Sequence, residues 1–172
     1  SFSIALTLRG VVDMFRHDAR EKGLSLSLYV DPSIPPLLLG DDARIRQVMF
    51  NIIGNAVKFT EKGGVTVRCS SLKPTDSGRR IYISVTDTGI GIPDESVRLV
   101  FQACTQLDGT DTRQYAGAGL GLGIVHRLIG LMDGNLCIES EEGKGTTVHC
   151  VLPLPEPSVY NASHLPESRD FE

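Results

Sequence analysis

The stretch DARIRQVMFNIIGNAVKFT, residues 42–60, carries two patterns on one helical period. Ile45, Val48, Met49, Ile52, Ile53, Ala56 and Val57 recur at i, i+3, i+4, i+7, i+8, i+11 and i+12, the apolar stripe of a single amphipathic helix. Beside it run Arg44, Gln47, Asn51, Asn55 and Lys58. Asn is a mediocre helix former, because its side chain competes for backbone hydrogen bonds. Two of them at i and i+4, flanking Gly54, mark a face chosen for something besides helix stability. One reading is a solvated polar face. The other is a row of neutral oxygens and one cation turned toward a ligand. Amide oxygens suit a hard cation such as Mg²⁺, which keeps most of its waters and takes few protein ligands. Lys58, about one turn beyond Asn55, is placed to reach a phosphate.

Outward from that helix the periods change. Residues 3–21 read as one helix, with a stripe of Ile4, Leu8, Val11, Val12, Phe15 and Ala19, ended by Gly23 as C-cap. Leu24, Leu26, Leu28 and Val30 alternate with Ser25, Ser27 and Tyr29, a half-buried strand. Residues 31–36 are a turn-rich break, and Asp41 or Asp42 caps the central helix. Beyond Thr60, Val65, Val67 and Cys69 form a strand, 73–80 a polar hairpin loop, and Ile81, Ile83 and Val85 a strand ending in Asp87. Pro93 and Asp94 open a short helix through about Val100, and 102–118 read as a long loop, a lid. Residues 119–132 are a helix carrying Ile124, Val125, Leu128 and Met132. Two strands, near 134–140 and 146–153, close the domain. The pattern predicts an α+β fold, a two-layer α/β sandwich with a mixed, mostly antiparallel sheet and three helices on one face. Residues 1–154 are the expected domain and 155–172, with Pro155, Pro157 and Pro166 among polar residues, a tail or linker.

Composition narrows the class. The 172 residues are 41% hydrophobic and 22% charged, ordinary for a globular domain with a real core. A net charge of −4 gives no pointer to nucleic acid or an anionic membrane surface. Cys69, Cys104, Cys137 and Cys150 have no metal-ligand spacing; Cys69 and Cys150 sit in apolar strands and read as reduced core residues of a cytoplasmic protein. No run is long or apolar enough to span a membrane. A chain that begins directly in a helical pattern reads as a piece of something longer.

Three glycine-rich segments follow the central helix. In DTGIGI, residues 87–92, alternation puts Asp87 on the face of Ile81, Ile83 and Val85. A carboxylate at the end of an apolar face is costly unless it meets a donor. The exocyclic amine of a purine would be one, with Gly89 and Gly91 letting a flat ring approach the backbone. A tight turn in which Asp87 caps its own backbone is an equally good reading. In GAGLGLG, residues 117–123, glycines at i, i+2 and i+4 open a helix whose free N–H groups could hold phosphate, or serve as a hinge. Neither a dinucleotide-binding fingerprint nor a P-loop fits. GKGT, residues 143–146, reads by itself as a hairpin turn.

Together, in this order and spacing, the four pieces resemble the N, G1, G2 and G3 boxes of the histidine-kinase catalytic and ATP-binding domain, in the GHKL superfamily. The resemblance covers residues 1–154 and implies the Bergerat ATP-binding fold. It implies Asn55 as the Mg²⁺ ligand with Asn51 beside it at the phosphates, Lys58 on phosphate and Phe59 near the base. It implies Asp87 as acceptor of the adenine amine with Thr146 nearby, and an adenine pocket shaped by Gly89, Gly91 and Ile92. Gly117, Gly119, Leu120 and Gly121 would wrap the phosphates of ATP, with Arg113 of the lid as a further contact. The catalytic set is Asn51, Asn55 and Lys58, and the cofactors are ATP and Mg²⁺.

The same resemblance sets the branch. ATP-hydrolysing relatives carry a general-base Glu four residues before the Mg²⁺-binding Asn; here that position is Asn51. A stand-alone ATPase is thereby disfavoured over a kinase whose nucleophile is an imidazole. The expected activity is transfer of the γ-phosphoryl group of ATP to a histidine of an adjoining dimerisation domain, for relay to a response-regulator receiver domain. None of His17, His126, His149 and His164 sits in a phosphoacceptor motif, so the acceptor is expected outside this chain, which alone would be a monomer. The lid departs from the family pattern at Gln102, Ala103 and Cys104, and Ala116 and Ala118 replace frequent Gly and Thr. These changes motivate an alternative, a non-catalytic nucleotide-sensing or interaction module of the same fold.

Overall fold

Alternation along five strands lines up into one apolar sheet face. The computed structural model describes residues 1–73, 78–93, 95, 97 and 120–157. In it β1 (Ser25–Val30), β2 (Gly64–Ser71), β3 (Arg80–Asp87), β4 (Asn135–Glu141) and β5 (Gly145–Pro153) form a sheet ordered β1-β2-β3-β5-β4. β1 and β2 are parallel; the other pairs are antiparallel. The register sets Cys69 opposite Ile83, Ile83 opposite Cys150, and Val85 opposite both Val67 and Val148. All of these are buried. A one-residue slip would bring Ser84 or Thr86 into the core, so the pattern itself specifies the register.

Helices α1 (Ile4–Met14), α2 (Arg16–Glu21), α3 (Asp42–Phe59) and α4 (Leu120–Gly130) complete the α+β fold. Every residue of the apolar stripe on α3 is buried. α3 packs against α1 and α4 on its flanks and against β2 and β3 beneath. Parallel β1 and β2 need a crossover, and α3 is that crossover. Its last residue, Phe59, therefore arrives beside the start of β2, where Val65 pairs with Asp87 at the end of β3. Asp41, not Asp42, is the cap of α3, accepting the Arg44 N–H at 3.0 Å. Asp42 accepts from the Thr7 hydroxyl and, at 3.0 Å, from Arg46, tying α3 to α1.

The single helix expected over 3–21 is two. Phe15 breaks it at φ −98°, ψ 0°, and its ring lies over Gly54 of α3, 5.0 Å from the Phe50 ring. In α4, Leu122, Val125 and Ile129 are buried, whereas Ile124 is exposed. Cys69 and Cys150 are core residues, and burial pushes both thiols up to about 12. Cys137 is exposed. Glu95 and Val97 are helical, and Val97 donates to the Pro93 carbonyl at 3.0 Å. The rest of that short helix, the loop at 102–118 with Cys104, and the tail from 158 with His164 lie outside the described residues. Pro155 still accepts from Leu39, and Glu156 pairs with Arg79 at 2.7 Å. No helix among the described residues is long and apolar enough to cross a membrane.

The carbonyls at the end of α3 are held by Lys22. Its ammonium reaches Val57 O at 2.8 Å, Lys58 O at 2.9 Å and Thr60 O at 3.5 Å. A cation at a helix C-terminus meets both unpaired carbonyls and the negative end of the dipole. Lys22→Met keeps the aliphatic stem and loses the three donors. The expected cost is about 1–2 kcal/mol in urea unfolding, and an unchanged midpoint would contradict the capping role.

Candidate nucleotide-binding site

Asp87 stands where β3 ends, and two backbone donors converge on it. Its Oδ1 accepts the N–H of Gly89 at 2.8 Å and of Thr146 at 3.3 Å. Both bonds found among the described residues use Oδ1, which leaves Oδ2 as an acceptor. Burial raises the Asp87 pKa above the ordinary carboxylate value, against the two N–H groups, which lower it. The self-capped turn expected as one reading of DTG is therefore present, and it leaves the carboxylate still able to take a further donor.

The loop after Asp87 is clamped from two sides. Ile90 donates its N–H to Phe59 O at 3.3 Å, and Ile90 O accepts from Gly143 at 2.7 Å. Gly91 has φ +70°, and a Cβ there would run into the Glu141 carbonyl. Its glycine is thus required by packing on the β4–β5 hairpin, beyond any approach of a flat ring. Gly145, at φ +114°, has no room for a side chain against the Asp87 and Thr88 backbone. That close approach delivers the Thr146 N–H to Asp87, so GKGT is more than a turn.

Two residues that sequence reasoning missed organise this loop. Thr88 Oγ1 donates to Lys62 O at 2.9 Å and accepts from Gly64 N at 3.0 Å, joining the loop to the turn after α3. Ser140 Oγ accepts from Ile92 N at 2.8 Å and lies 2.8 Å from Thr146 Oγ1. A Ser or Thr near a turn in an alternating strand carries little signal in isolation.

α3 brings its polar row to the same end of the sheet. Asn51 and Asn55 lie one turn apart and half-buried, Lys58 is exposed with Nζ 5.0 Å from the centre of the Phe59 ring, and the Phe59 carbonyl meets Ile90. Gly121, in the first turn of α4, sits against Asn55: a Cβ there would be 3.1 Å from Asn55 Nδ2. The N-terminal turn of α4, with N–H groups free of intrahelical partners, is thereby set beside the Asn row. Leu120 opens α4, while Arg113, Gly117 and Gly119 lie outside the described residues.

The donor set around Asn55 fits a Mg²⁺ ion that brings its own ligands. No cluster of three His, Cys, Asp or Glu able to hold a metal occurs among the described residues. One or two neutral side-chain oxygens leave the remaining octahedral positions to water and phosphate, which is how Mg²⁺ is held with a nucleotide.

Comparison with known proteins agrees with this geometry. Residues 40–156 match the family described as histidine kinase-, DNA gyrase B- and HSP90-like ATPase. The chain is 44% identical over 153 residues to hybrid signal transduction histidine kinase L of Dictyostelium discoideum, covering 88% of this chain and 9% of that protein. It is 35% identical over 146 residues to signal transduction histidine-protein kinase BarA of Escherichia coli K12, covering 85% of this chain and 16% of that protein. The chain thus spans a small part of the length of these relatives. Among solved structures, full-length ShkA in complex with AMPPNP superposes with a TM-score of 0.72 at 35% identity, covering 90% of this chain and 31% of that one. The catalytic domain of histidine kinase ThkA superposes at 0.68 with 25% identity, covering 88% and 93%.

Proposed function

Because the chain belongs to the histidine kinase-, DNA gyrase B- and HSP90-like ATPase family, we propose that it is the catalytic domain of a cytoplasmic sensor histidine kinase module. It binds Mg²⁺-ATP and passes the γ-phosphoryl group to a histidine on an adjoining dimerisation domain, for relay to a receiver domain. The observation that carries this reading is the Asp87 carboxylate, held by two N–H donors on one oxygen and left with the other. An adenine amine would supply a donor to this oxygen, which takes none from the described residues.

The roles are those that the family's motifs imply for the matching residues. Asp87 and Thr146 read the base. Ile90, clamped between Phe59 and Gly143, holds the loop that floors the pocket. Asn51, Asn55 and Lys58 would face the phosphates, with Gly121 at the start of α4 set beside Asn55, and family resemblance alone adds Arg113, Gly117 and Gly119, which lie outside the described residues. Mg²⁺, held by Asn55 and the phosphates, would neutralise charge on the transferring group. In the transfer, the bond from the bridging oxygen to Pγ breaks, a bond from the imidazole nitrogen to phosphorus forms, and ADP leaves. Position 51 is Asn, so no carboxylate stands four residues before Asn55 to activate water. An imidazole needs no such base, because its neutral form already carries a lone pair near neutral pH.

The test uses the full-length protein and ATP labelled at the γ position. The expected product is an acid-labile, base-stable phosphoprotein that forms as ADP appears. Release of inorganic phosphate in multiple turnovers with no phosphoprotein would instead make this chain an ATPase. Nucleotide binding with neither product would make it a sensing module.

A further inference from the structure

Each backbone carbonyl from 56 to 60, at the end of α3, has a partner. Ala56 O accepts from Thr60 twice, from its N–H at 3.1 Å and its hydroxyl at 2.7 Å. Val57 O, Lys58 O and Thr60 O all turn to the Lys22 ammonium, at 2.8, 2.9 and 3.5 Å. An ammonium has three N–H groups, so these carbonyls use all of its donors. Phe59 O alone points elsewhere. It accepts the Ile90 N–H at 3.3 Å, and it lies so near Gly89 that a Cβ there would be 2.5 Å away. Gly89 is the residue whose N–H bonds Asp87 Oδ1. The carbonyls on both sides of Phe59 are thus drawn to one cation, and the one between them carries the loop after Asp87.

Lys22 is itself fixed. Its N–H donates to Asp18 O at 3.2 Å, at the end of α2. Gly23, at φ +67°, then turns the chain into Leu24, which is buried and donates to Ala19 O at 2.8 Å. The side chain that grips α3 is therefore rooted in the turn between α2 and β1.

We propose that Lys22 is a positioning residue of the nucleotide site: by gathering the carbonyls of Val57, Lys58 and Thr60 it holds Phe59 O against the loop that carries Asp87, and so fixes the end of α3 relative to that loop. This rests on the nucleotide-binding reading and adds to it a residue outside the four motif segments. Lys22 acts through the α3 backbone. Without the ammonium, the carbonyls on either side of Phe59 turn to water, and Phe59 O loses its fixed direction.

The test measures amide hydrogen exchange of the nucleotide-free chain, and ADP binding by calorimetry, on wild type and Lys22→Met. The Ile90 amide reports the loop, and the Ile83 amide, on β3 between β2 and β5, reports the whole fold. Ile90 exchange is expected to rise about tenfold more than Ile83 exchange, with ADP affinity down about tenfold, each the scale of one hydrogen bond lost. A cap that only stabilises the fold raises Ile90 exchange no more than Ile83 exchange, and that result overturns the proposal. So does a freed Ile90 amide with ADP affinity unchanged. Should Lys22→Met fail to fold, Lys22→Gln, which keeps two donors on a shorter neutral side chain, decides on the same two readings. Wild type that binds ADP, beside a variant that keeps the ratio of Ile90 to Ile83 exchange, defeats this inference alone. Wild type that binds no ADP defeats the nucleotide-binding reading beneath it.

Discussion

Asp87→Asn weakens adenine-nucleotide binding about 100-fold and leaves the nucleotide-free protein at least as stable as wild type. The amide oxygen of Asn still accepts the Gly89 and Thr146 N–H groups that now bond Oδ1. Its NH₂ replaces Oδ2 and meets the adenine amine donor to donor. The loss is about 2–3 kcal/mol, roughly 100-fold in Kd. Stability moves the other way, because burial raises the Asp87 pKa in the folded state. A group with a raised folded pKa brings stability that is complete below its unfolded pKa, about 3.9 for Asp, and that is lost as pH rises through the folded value. Wild type without nucleotide therefore loses stability across that acidic window, and the Asn variant, with no proton to lose, does not. Melting temperatures of both proteins from acidic to neutral pH, beside nucleotide titrations, check the two halves. A variant that binds ADP like wild type, or that simply unfolds, would contradict the role given to Oδ2.

Asn55→Ala stops phosphotransfer without removing the base site. Ala is a better helix former than Asn by about 0.5 kcal/mol, and position 55 lies on the polar face of α3, outside the buried stripe. The change therefore removes an oxygen and costs little fold. Phosphoprotein formation by the full-length protein should fall by about 10³-fold, the scale of losing one preorganised contact to developing charge. ADP binding without Mg²⁺ should stay within about twofold, because the Asp87 and Thr146 contacts remain. The gain in affinity that Mg²⁺ brings to wild type should vanish. Retained phosphotransfer, or an undiminished Mg²⁺ effect, would remove Asn55 from the metal site.

What could be read from residues alone was set by how local its physics is. The stripe on α3 was legible because a single period of 3.6 governs all seven apolar positions, and all seven are buried. The strands were legible because alternation and register carry the same information. The break at Phe15 was not, since its cause is a ring seated on Gly54, 39 positions along the chain in sequence number (54 against 15). The inward side of α4 was not legible, because α4 is apolar on more than one face and its packing on α3 leaves Val125 buried and Ile124 exposed. In the site, Asp87 stood out as a charge ending an apolar strand face. Ser140 did not, because its meaning lies in a donor 48 residues away and in a cross-strand neighbour. The altered lid at Gln102, Ala103 and Cys104 falls outside the described residues.

The most direct test of a Mg²⁺-ATP site built on Asp87 and Asn55 is calorimetric titration of this chain with AMPPNP, with and without Mg²⁺. One saturable site per chain, tightened by Mg²⁺, is the predicted result. No binding at millimolar nucleotide under either condition would contradict it, and would leave the fold as an interaction module in which Asp87 only caps its own turn.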